Sequence, residues 1–486
     1  MKHSRIACGL LSAGLAALLA SPAGAQAPVA QQTPAQPAPI VATPPTGQPA
    51  PASQAAPARA DAARPLTVTV PPAQAAQPAA TPAVPQAAIT KPAPKLVKAK
   101  PKPPPREWAL SSDPTPAFQP ETQSATAAAA ERYARIAAAG GWPAVPGEVK
   151  PGAQGPAVSA LRQRLAIEGD LPDVLARGEK WDPVLAEAVK RFQERHGLKR
   201  TGLVAGATLR AVNVPADQRQ KQLAASAQRL LAIGAFPFGD RYVAVNIPSA
   251  AVEAVENGAV ARRYVAVVGD PKHRSPEVQA KVQVVNLNPT WTVPISIIKN
   301  EIIPKMRKDP GWLGKQRIRI LDSKNAEIDP STINWNTEKA VNYTLRQDPG
   351  PHNSLGSIRI GMPNKDAVYM HDTPAKSFFG RSDRFLSHGC VRVEGVYELA
   401  AWLLKETPNP TGAAWDALGL KSVEEREDVK LTKPLPVIWT YMTGWASPDG
   451  TVHFRDDVYG VDAAPQDMAS PRPPEPVRPI ARFSLR

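Results

Sequence analysis

The chain has 486 residues, of which 56 are proline, with a net charge of +15 and a pI of about 9.8. This length allows two or more domains. The basic residues are scattered, without a run of five interleaved with aromatic side chains, which argues against nucleic-acid binding. The positive charge is instead compatible with an anionic polymer or an anionic lipid as a partner.

Residues 1–25 are predicted to be a secretory signal. A positively charged start precedes a mostly apolar run over residues 6–20, and the tripeptide Ala-Gly-Ala at 23–25 has the small side chains of a cleavage site. An uncleaved signal that anchors the chain in a membrane is the alternative. Cys8 lies near the start of the apolar run and not after it, which argues against lipoprotein processing. Cleavage would leave Cys390 as the one cysteine of an exported, periplasmic protein.

Residues 26–120 are dominated by alanine, proline and glutamine. Such a composition cannot bury enough apolar surface to offset the entropy of the chain, so this segment is predicted to be a disordered, extended linker. The proline-rich tail at 461–486 is predicted to be disordered for the same reason. A long spacer after a secretory signal fits a protein that must reach away from a membrane or across a wall.

Helical patterns begin at about residue 121. An alanine-rich helix is predicted within the scaffold segment 121–150, where two consecutive glycines end it. Residues 151–215 show three short helices with apolar faces, and a helical connector follows at 216–240.

The segment 151–215 resembles the small peptidoglycan-binding domain that accompanies many wall enzymes. Its Phe-Gln, His-Gly-Leu and Thr-Gly motifs fall in the order of that family. The resemblance implies binding to the glycan and peptide of the cell wall. A plain helical spacer is the alternative.

Alternating apolar and polar residues predict a mainly β domain over 241–420. Turn signals at 248–249 and 257–258 separate its first strands. Further strands are predicted at 357–362 and 367–371. This pattern is typical of paired strands with one buried face.

An insertion over the main sheet is predicted at 297–348, where the alternation is less regular and polar residues are frequent. A helix is predicted at 396–407, and a C-terminal β segment at 421–460. Together with the helical segments, this order of elements predicts a multidomain α+β fold.

Cys390 lies in the sequence Ser-His-Gly-Cys, 19 positions after His371. Without a second cysteine in the mature chain it cannot form an internal disulfide, so it is either buried and inert or retained for its reactivity. His371 could serve as its base, Gly389 would let the backbone approach a substrate, and Arg392 would face the same side as Cys390 in an extended segment. Adding His388 gives three potential metal ligands, but without the paired spacing of a zinc site.

The histidine, the spacer and the motif Ser-His-Gly-Cys-Val-Arg together resemble the YkuD-fold L,D-transpeptidases. The stretches around Trp291 and over 348–364 resemble the larger, multidomain members of that family. The resemblance covers about residues 125–450. It implies a YkuD-like β-sandwich as the catalytic domain, with a lid subdomain inserted at 297–348.

The resemblance also implies roles for individual residues. Cys390 would be the nucleophile, and His371 the base and later the acid, with its ring oriented through the backbone near Asp372. The remaining implied roles are amide donors to an oxyanion around His388, Gly389 and Cys390, support of the site by Ser387, Asp372 and Arg392, and substrate binding by Tyr369 and Trp291. No cofactor and no metal is implied.

The implied reaction is acyl transfer between peptidoglycan stem peptides. Cys390 would form a thioester with a donor tetrapeptide, release D-alanine and pass the acyl group to a diamino-acid amine of an acceptor stem, giving a 3→3 crosslink. Carbapenem sensitivity, wall association and contacts with other wall-synthesis proteins are further expectations. Two alternatives stay open: hydrolysis by a carboxypeptidase or amidase on the same fold, and a wall-binding protein without catalysis.

Overall fold

The computed structural model describes residues 107–462. The predicted signal at 1–25 with Cys8, most of the predicted linker at 26–120 and nearly all of the predicted tail at 461–486 lie outside the described residues. In the described part, no helix combines the length and the apolar character needed to cross a membrane.

Most of the long helices precede residue 241. The α-helices of the described part are α1 Thr122–Ala138, α2 Pro156–Glu168, α3 Pro183–Arg195, α4 Gly206–Val212, α5 Ala216–Ile233, α6 Ile295–Ile297, α7 Ile303–Lys308, α8 Trp312–Lys315, α9 Val396–Leu404 and α10 Ala417–Ser422. A π-helical turn, Ile298–Ile302, joins α6 to α7. Short 3-10 helices lie at Asp173–Leu175, Ile247–Ser249, Pro330–Thr332, Lys339–Asn342 and Lys376–Gly380.

The strands of the described part all lie after helix α5. They are β1 Arg241–Asn246, β2 Ala251–Glu256, β3 Ala259–Gly269, β4 Val278–Leu287, β5 Trp291–Thr292, β6 Ile318–Leu321, β7 Glu327–Ile328, β8 Thr344–Gln347, β9 Ile358–Gly361, β10 Met370–His371, β11 Phe385–Ser387, β12 Val391–Val393, β13 Glu427–Thr440, β14 Gly444–Ala446 and β15 Val452–Phe454.

Helices α2, α3 and α4 form a small helical domain, which confirms the three-helix prediction. Their apolar faces bury Leu161, Leu185 and Phe192 completely. Helix α3 begins where the Asp182 carboxylate accepts a hydrogen bond from the Leu185 N–H at 2.8 Å. Helix α2 ends at Gly169 in the left-handed conformation. Local capping signals therefore set the helix ends, and burial of one face holds the helices together.

Nine strands form the main sheet in the order β11-β3-β12-β10-β9-β4-β13-β1-β2. Because β2 pairs with both β1 and β3, the sheet closes on itself. The enclosed core contains Val252, Ile360, Met370 and Trp439, all fully buried, and α9 packs against it. The mainly β architecture predicted for this domain is confirmed.

The insertion is a subdomain with a sheet and an apolar core of its own. Strands β5 to β8 pair in the order β5-β8-β6-β7, apart from the main sheet. Ile302, Ile320 and Leu345 are buried together inside it. The subdomain starts before the predicted boundary at residue 297, since β5 pairs with β8. A strand of two residues is too short to produce an alternating signal in the sequence. Residues 291–348 are called the inserted subdomain below.

The boundary predicted at residue 420 does not coincide with the end of the main sheet. Strand β13 lies between β4 and β1, antiparallel to β4 and parallel to β1. Its register with β4 shifts between Lys430 and Leu435, in a stretch that contains proline. Proline is accommodated at such irregularities and obscures the strand pattern. The segment 421–460 therefore supplies a central strand, rather than a separate C-terminal unit.

The hairpin β14–β15 connects the helical domain with the main sheet domain. Arg195 of α3 donates from Nη1 to the Val452 carbonyl at 3.1 Å. Arg195 also pairs with Glu168, whose fully buried carboxylate lies 2.8 Å from Arg164. Burial alone would raise the pKa of Glu168, but Arg164 and Arg195 together hold it well below its usual range. The charge network of the helical domain thus reaches the contact between the domains.

Candidate active site

His371 and Arg392 lie side by side on the face of the sheet that points away from the core. Strands β10 and β12 are parallel, and His371 is the register partner of Arg392. Their strand neighbours Met370 and Val391 are fully buried in the core. Alternation along a strand therefore turns the next residue of each to the opposite face.

The turn at residues 387–390, called the nucleophile turn below, connects β11 to β12. Gly389 has a φ of +109°, a conformation that L side chains rarely adopt. The Ser387 hydroxyl donates to the Cys390 carbonyl at 2.5 Å and accepts from the Gly389 N–H at 3.2 Å. These two bonds hold the turn closed and present Cys390 at the start of β12.

Tyr369 connects Cys390 with the inserted subdomain. The Val391 N–H donates to the Tyr369 carbonyl at 3.1 Å, which places Tyr369 beside Cys390. The Tyr369 side chain interacts with the Cys390 thiol and with Trp291 of β5. Its ring centroid lies 5.6 Å from that of His371. The fold thus brings residues of the main sheet and of the inserted subdomain to one place.

Burial raises the pKa of the Cys390 thiol above its ordinary value of 9.0, although Tyr369 and Arg359 favour the thiolate. The desolvation of a charged sulfur outweighs these contacts. Cys390 is therefore a neutral thiol at neutral pH in the resting protein. Deprotonation then requires a base at the moment of attack.

His371 has the protonation state of such a base. Burial lowers the pKa of His371 to about 3, and Arg392 acts in the same direction, while backbone groups of Asp372 and Leu355 oppose the shift. A neutral imidazole can accept a proton. The pair is therefore uncharged at rest, unlike a preformed thiolate and imidazolium.

Asp372 supports the turn that precedes β9. Its carboxylate accepts from the Ser357 N–H at 3.1 Å and pairs with Lys376. Gly356 leaves room for that carboxylate, because a Cβ there would lie 2.4 Å from the Asp372 Oδ2 atom. The backbone of Asp372, rather than its carboxylate, lies near the His371 ring.

His388 faces the inserted subdomain. Its Nε2 atom lies 2.7 Å from the carboxylate of Glu301, a residue of the π-helical turn. The Gly389 N–H is bonded to Ser387, which differs from the expectation that it donates to an oxyanion. The amides of His388 and Cys390 have no hydrogen-bond partner among residues 107–462. These two amides are therefore the ones that an oxyanion at this turn can use.

Arg359 is a residue of this face that the sequence motifs do not single out. It is the register partner of His371 on β9, so His371 lies between Arg359 and Arg392. The Arg359 guanidinium lies 4.6 Å from the Tyr369 ring centroid and donates to the Asn286 side chain at 2.9 Å. The alternation of the strand predicted at 357–362 was the signal that could have placed Arg359 on the face opposite the core.

A cavity of about 420 Å³ has Arg384 and Phe385 in its lining but no residue of the nucleophile turn. It is found where the segment 108–117 passes between the helical domain and the hairpin β14–β15, and its lining includes His196, Arg263 and Arg455. In the part of the chain that the structure describes, no group of three or more His, Cys, Asp or Glu side chains is arranged to hold a metal ion.

Two family models match the chain. Residues 154–212 match the model described as "Putative peptidoglycan binding domain", and residues 240–410 match the YkuD model, described as an L,D-transpeptidase catalytic domain. Residues 240–410 are thus similar to the catalytic domain of the YkuD L,D-transpeptidases. The matched ranges contain the nucleophile turn and helices α2 to α4, which confirms both sequence resemblances.

A protein of Haemophilus influenzae described as "Putative L,D-transpeptidase" is 34% identical over 246 residues. That alignment covers 50% of this chain and 48% of the relative, so the chain matches about half the length of this relative. A solved L,D-transpeptidase structure from Xylanimonas cellulosilytica is 17% identical, with 61% of this chain and 99% of that chain covered and a TM-score of 0.20. Another from Stackebrandtia nassauensis is 13% identical, with 60% and 94% covered and a TM-score of 0.24.

Proposed function

We propose that the protein is a peptidoglycan L,D-transpeptidase that works through a thioester on Cys390. The Cys390 thiolate attacks the amide carbonyl between the third and fourth residues of a donor stem tetrapeptide, and D-alanine leaves. The side-chain amine of a diamino acid on an acceptor stem then opens the thioester, which forms the 3→3 crosslink and returns the thiol. The contacts of Tyr369 with both the Cys390 thiol and the His371 ring, inside the matched catalytic domain, carry this proposal.

His371 moves the protons in this reaction. As a neutral base it takes the Cys390 proton during attack and gives it to the departing D-alanine amine. In the second half-reaction it takes a proton from the acceptor amine and returns it to the Cys390 sulfur. Because burial disfavours the charged imidazole, the protonated form exists only between these transfers.

The residues around the turn stabilise charge that develops on the substrate. The amides of His388 and Cys390 donate to the oxyanion of the tetrahedral intermediate. Arg359 and Arg392 supply positive charge on both sides of His371, and the buried Arg392 Nε atom has no hydrogen-bond partner among the described residues. We propose that these two arginines bind carboxylates of the stem peptides.

Other residues of the site shape it rather than react. Tyr369 and Trp291 line the donor side, since they connect the thiol to the inserted subdomain. Ser387 and Asp372 support the backbone on either side of the reacting groups.

The helical domain is proposed to hold the enzyme on the wall polymer. A binding domain in the same chain raises the local concentration of stem peptides at the active site. We therefore expect the protein to be exported to the periplasm, to associate with the wall and to contact other wall-synthesis proteins. As the family resemblance implies, a carbapenem is expected to acylate Cys390.

The product of turnover on purified disaccharide-tetrapeptide muropeptides tests the proposed function. We expect a tetrapeptide–tripeptide dimer with the full chain and none with Cys390→Ala. Formation of free tripeptide without dimer would show that the enzyme hydrolyses the thioester instead of transferring the acyl group. Full dimer formation by Cys390→Ala would refute the nucleophile assignment. Binding of muropeptides with no product at all would favour the wall-binding alternative.

A further inference from the structure

Ser275 lies behind the nucleophile turn, in the loop between β3 and β4, and is 4% exposed. Its hydroxyl donates to the Gly389 carbonyl at 2.7 Å and accepts from the Gly269 N–H at 2.9 Å. Its backbone N–H donates to the Tyr459 hydroxyl at 3.1 Å, and that hydroxyl donates to the Gly269 carbonyl at 2.7 Å. Ser275, Gly269 and Tyr459 thus form a closed ring of hydrogen bonds that reaches the turn through the Ser275 hydroxyl.

The residues of this hydrogen-bonded ring are packed too closely to move freely. Gly269 has no room for a side chain, because a Cβ there would lie 2.2 Å from the His273 carbonyl oxygen. The Tyr459 ring is 5% exposed and stacks on Tyr441 at a centroid distance of 5.0 Å. Close packing around buried hydrogen bonds holds the Ser275 hydroxyl in one position.

The Gly389 carbonyl and the Cys390 N–H belong to the same peptide unit. A trans peptide is planar, so its carbonyl and its N–H point in opposite directions. Ser275 holds the carbonyl toward the protein interior, which turns the Cys390 N–H outward, toward the side where a substrate carbonyl would lie. Ser387 holds the neighbouring Gly389 N–H and the Cys390 carbonyl. The two serines therefore fix successive peptide units of the turn.

We propose that Ser275 is a positioning residue that aims the Cys390 N–H at the oxyanion of the acyl-transfer intermediate. The proposal rests on the proposed function, since it needs Cys390 to be an acylated nucleophile. Without the Ser275 hydroxyl, the flexible Gly389 unit can rotate, and the Cys390 N–H loses its fixed direction. Acylation then slows, because a preorganised donor stabilises the developing oxyanion more than a mobile one does.

Two reactions of the same sulfur separate this role from a merely structural one. Acylation by imipenem passes through an oxyanion, whereas alkylation by iodoacetamide is a displacement at carbon that needs no oxyanion donor. Both are followed on the full chain by intact mass, at one pH. The variants are Ser275→Ala, Ser275→Thr, which keeps the hydroxyl, and Tyr459→Phe, which removes the bond that holds the Ser275 backbone. Ser226→Ala is the matched control, a buried serine that bonds to backbone far from the turn.

For Ser275→Ala we expect the maximum rate of acylation to fall about tenfold to a hundredfold. The half-saturating imipenem concentration and the alkylation rate should stay close to those of the unchanged chain. Ser275→Thr should recover most of the rate, Tyr459→Phe should lose less than Ser275→Ala, and Ser226→Ala should lose nothing. Thermal unfolding of each variant confirms that it is folded.

Three outcomes would overturn the inference. Ser275→Ala could acylate at the unchanged rate. It could lose acylation and alkylation equally, which would mean that Ser275 only holds the turn together. A chain that is alkylated at Cys390 but never acylated, by imipenem or by muropeptides, would overturn the proposed function and the inference with it. If Ser275→Ala does not fold, Tyr459→Phe decides in its place by the same comparison of the two reactions.

Discussion

The nucleophile turn and the inserted subdomain meet where His388 contacts Glu301, but they are held in different ways. The turn is fixed by hydrogen bonds from the buried serines Ser275 and Ser387. The inserted subdomain reaches the turn through the pair of His388 and Glu301, whose side chains are 41% and 35% exposed. An exposed pair is worth about 0–1 kcal/mol, whereas a buried group left without its partner costs about 1–3 kcal/mol. We therefore expect the hydrogen bonds of the turn to hold the reacting geometry more firmly than the pair of His388 and Glu301 holds the inserted subdomain.

The largest expected effect comes from removing the base while leaving both regions in place. His371→Ala should lower the rate of Cys390 acylation about 100- to 10,000-fold, because the neutral thiol then lacks a proton acceptor. Alkylation by iodoacetamide at about pH 10 should persist, since hydroxide can form the thiolate there. Intact mass spectrometry measures both reactions. Equal loss of both would show that His371 shapes the turn instead.

The pH dependence of alkylation tests whether the thiol is neutral at rest. Because burial raises the pKa of Cys390 above 9.0, the thiolate fraction and the alkylation rate should rise about tenfold per pH unit from neutral pH to beyond pH 9. The protonated form dominates below the raised pKa, so the rate falls as the pH falls. A plateau near neutral pH would indicate a preformed ion pair with His371 and contradict this prediction.

A methyl group added to each region should destabilise the nucleophile turn more than the inserted subdomain. Gly389→Ala places a side chain at a φ of +109° and 3.4 Å from the Arg274 carbonyl, so it should cost about 1–3 kcal/mol of unfolding free energy and slow acylation. Gly314→Ala is the matched control in α8 of the inserted subdomain, where a Cβ meets no atom within 4 Å. It should be neutral or slightly stabilising. Thermal or denaturant unfolding measures both, and equal effects would remove the contrast between the two regions.

The smallest effect is expected at the contact between the two regions. Glu301→Gln keeps the shape of the side chain and removes its charge, so it should change the half-saturating concentration of muropeptide by less than about fivefold. The change should shrink in about 1 M salt, where the screening length is about 3 Å. Steady-state kinetics at low and high salt measure it. A loss as large as that of His371→Ala would assign Glu301 to the chemistry.

Local signals in the sequence were enough for the helices and for the family of the catalytic domain. The apolar faces of α2, α3 and α4 follow a helical period, and their ends coincide with Asp182 and Gly169, which have the local geometry of caps. The Ser-His-Gly-Cys motif and the histidine before it identified the region that the YkuD model matches. These features depend on neighbours within a few positions, so the sequence alone carries them.

Strand β13 shows what such signals miss. Its parallel pairing with β1 joins residues nearly two hundred positions apart, Val243 and Val437 among them. The prolines of β13 weaken its local strand pattern, and only the pairing partners determine that it belongs to the centre of the sheet. The predicted boundary at residue 420 followed the local pattern and therefore divided the sheet.

The sequence by itself determined the candidate reactive groups of the site: one cysteine beyond the predicted signal, a histidine before it, and a glycine where the turn needs a positive φ. Only the tertiary structure placed Ser275 behind the turn at a separation of 114 positions, Arg359 beside His371, and Glu301 against His388. Reactive groups carry their chemistry in the side chain, so a motif can name them. Positioning groups act through a hydroxyl or a charge that many residues share. Only the folding of the chain determines which of those residues lies close to the reacting atoms.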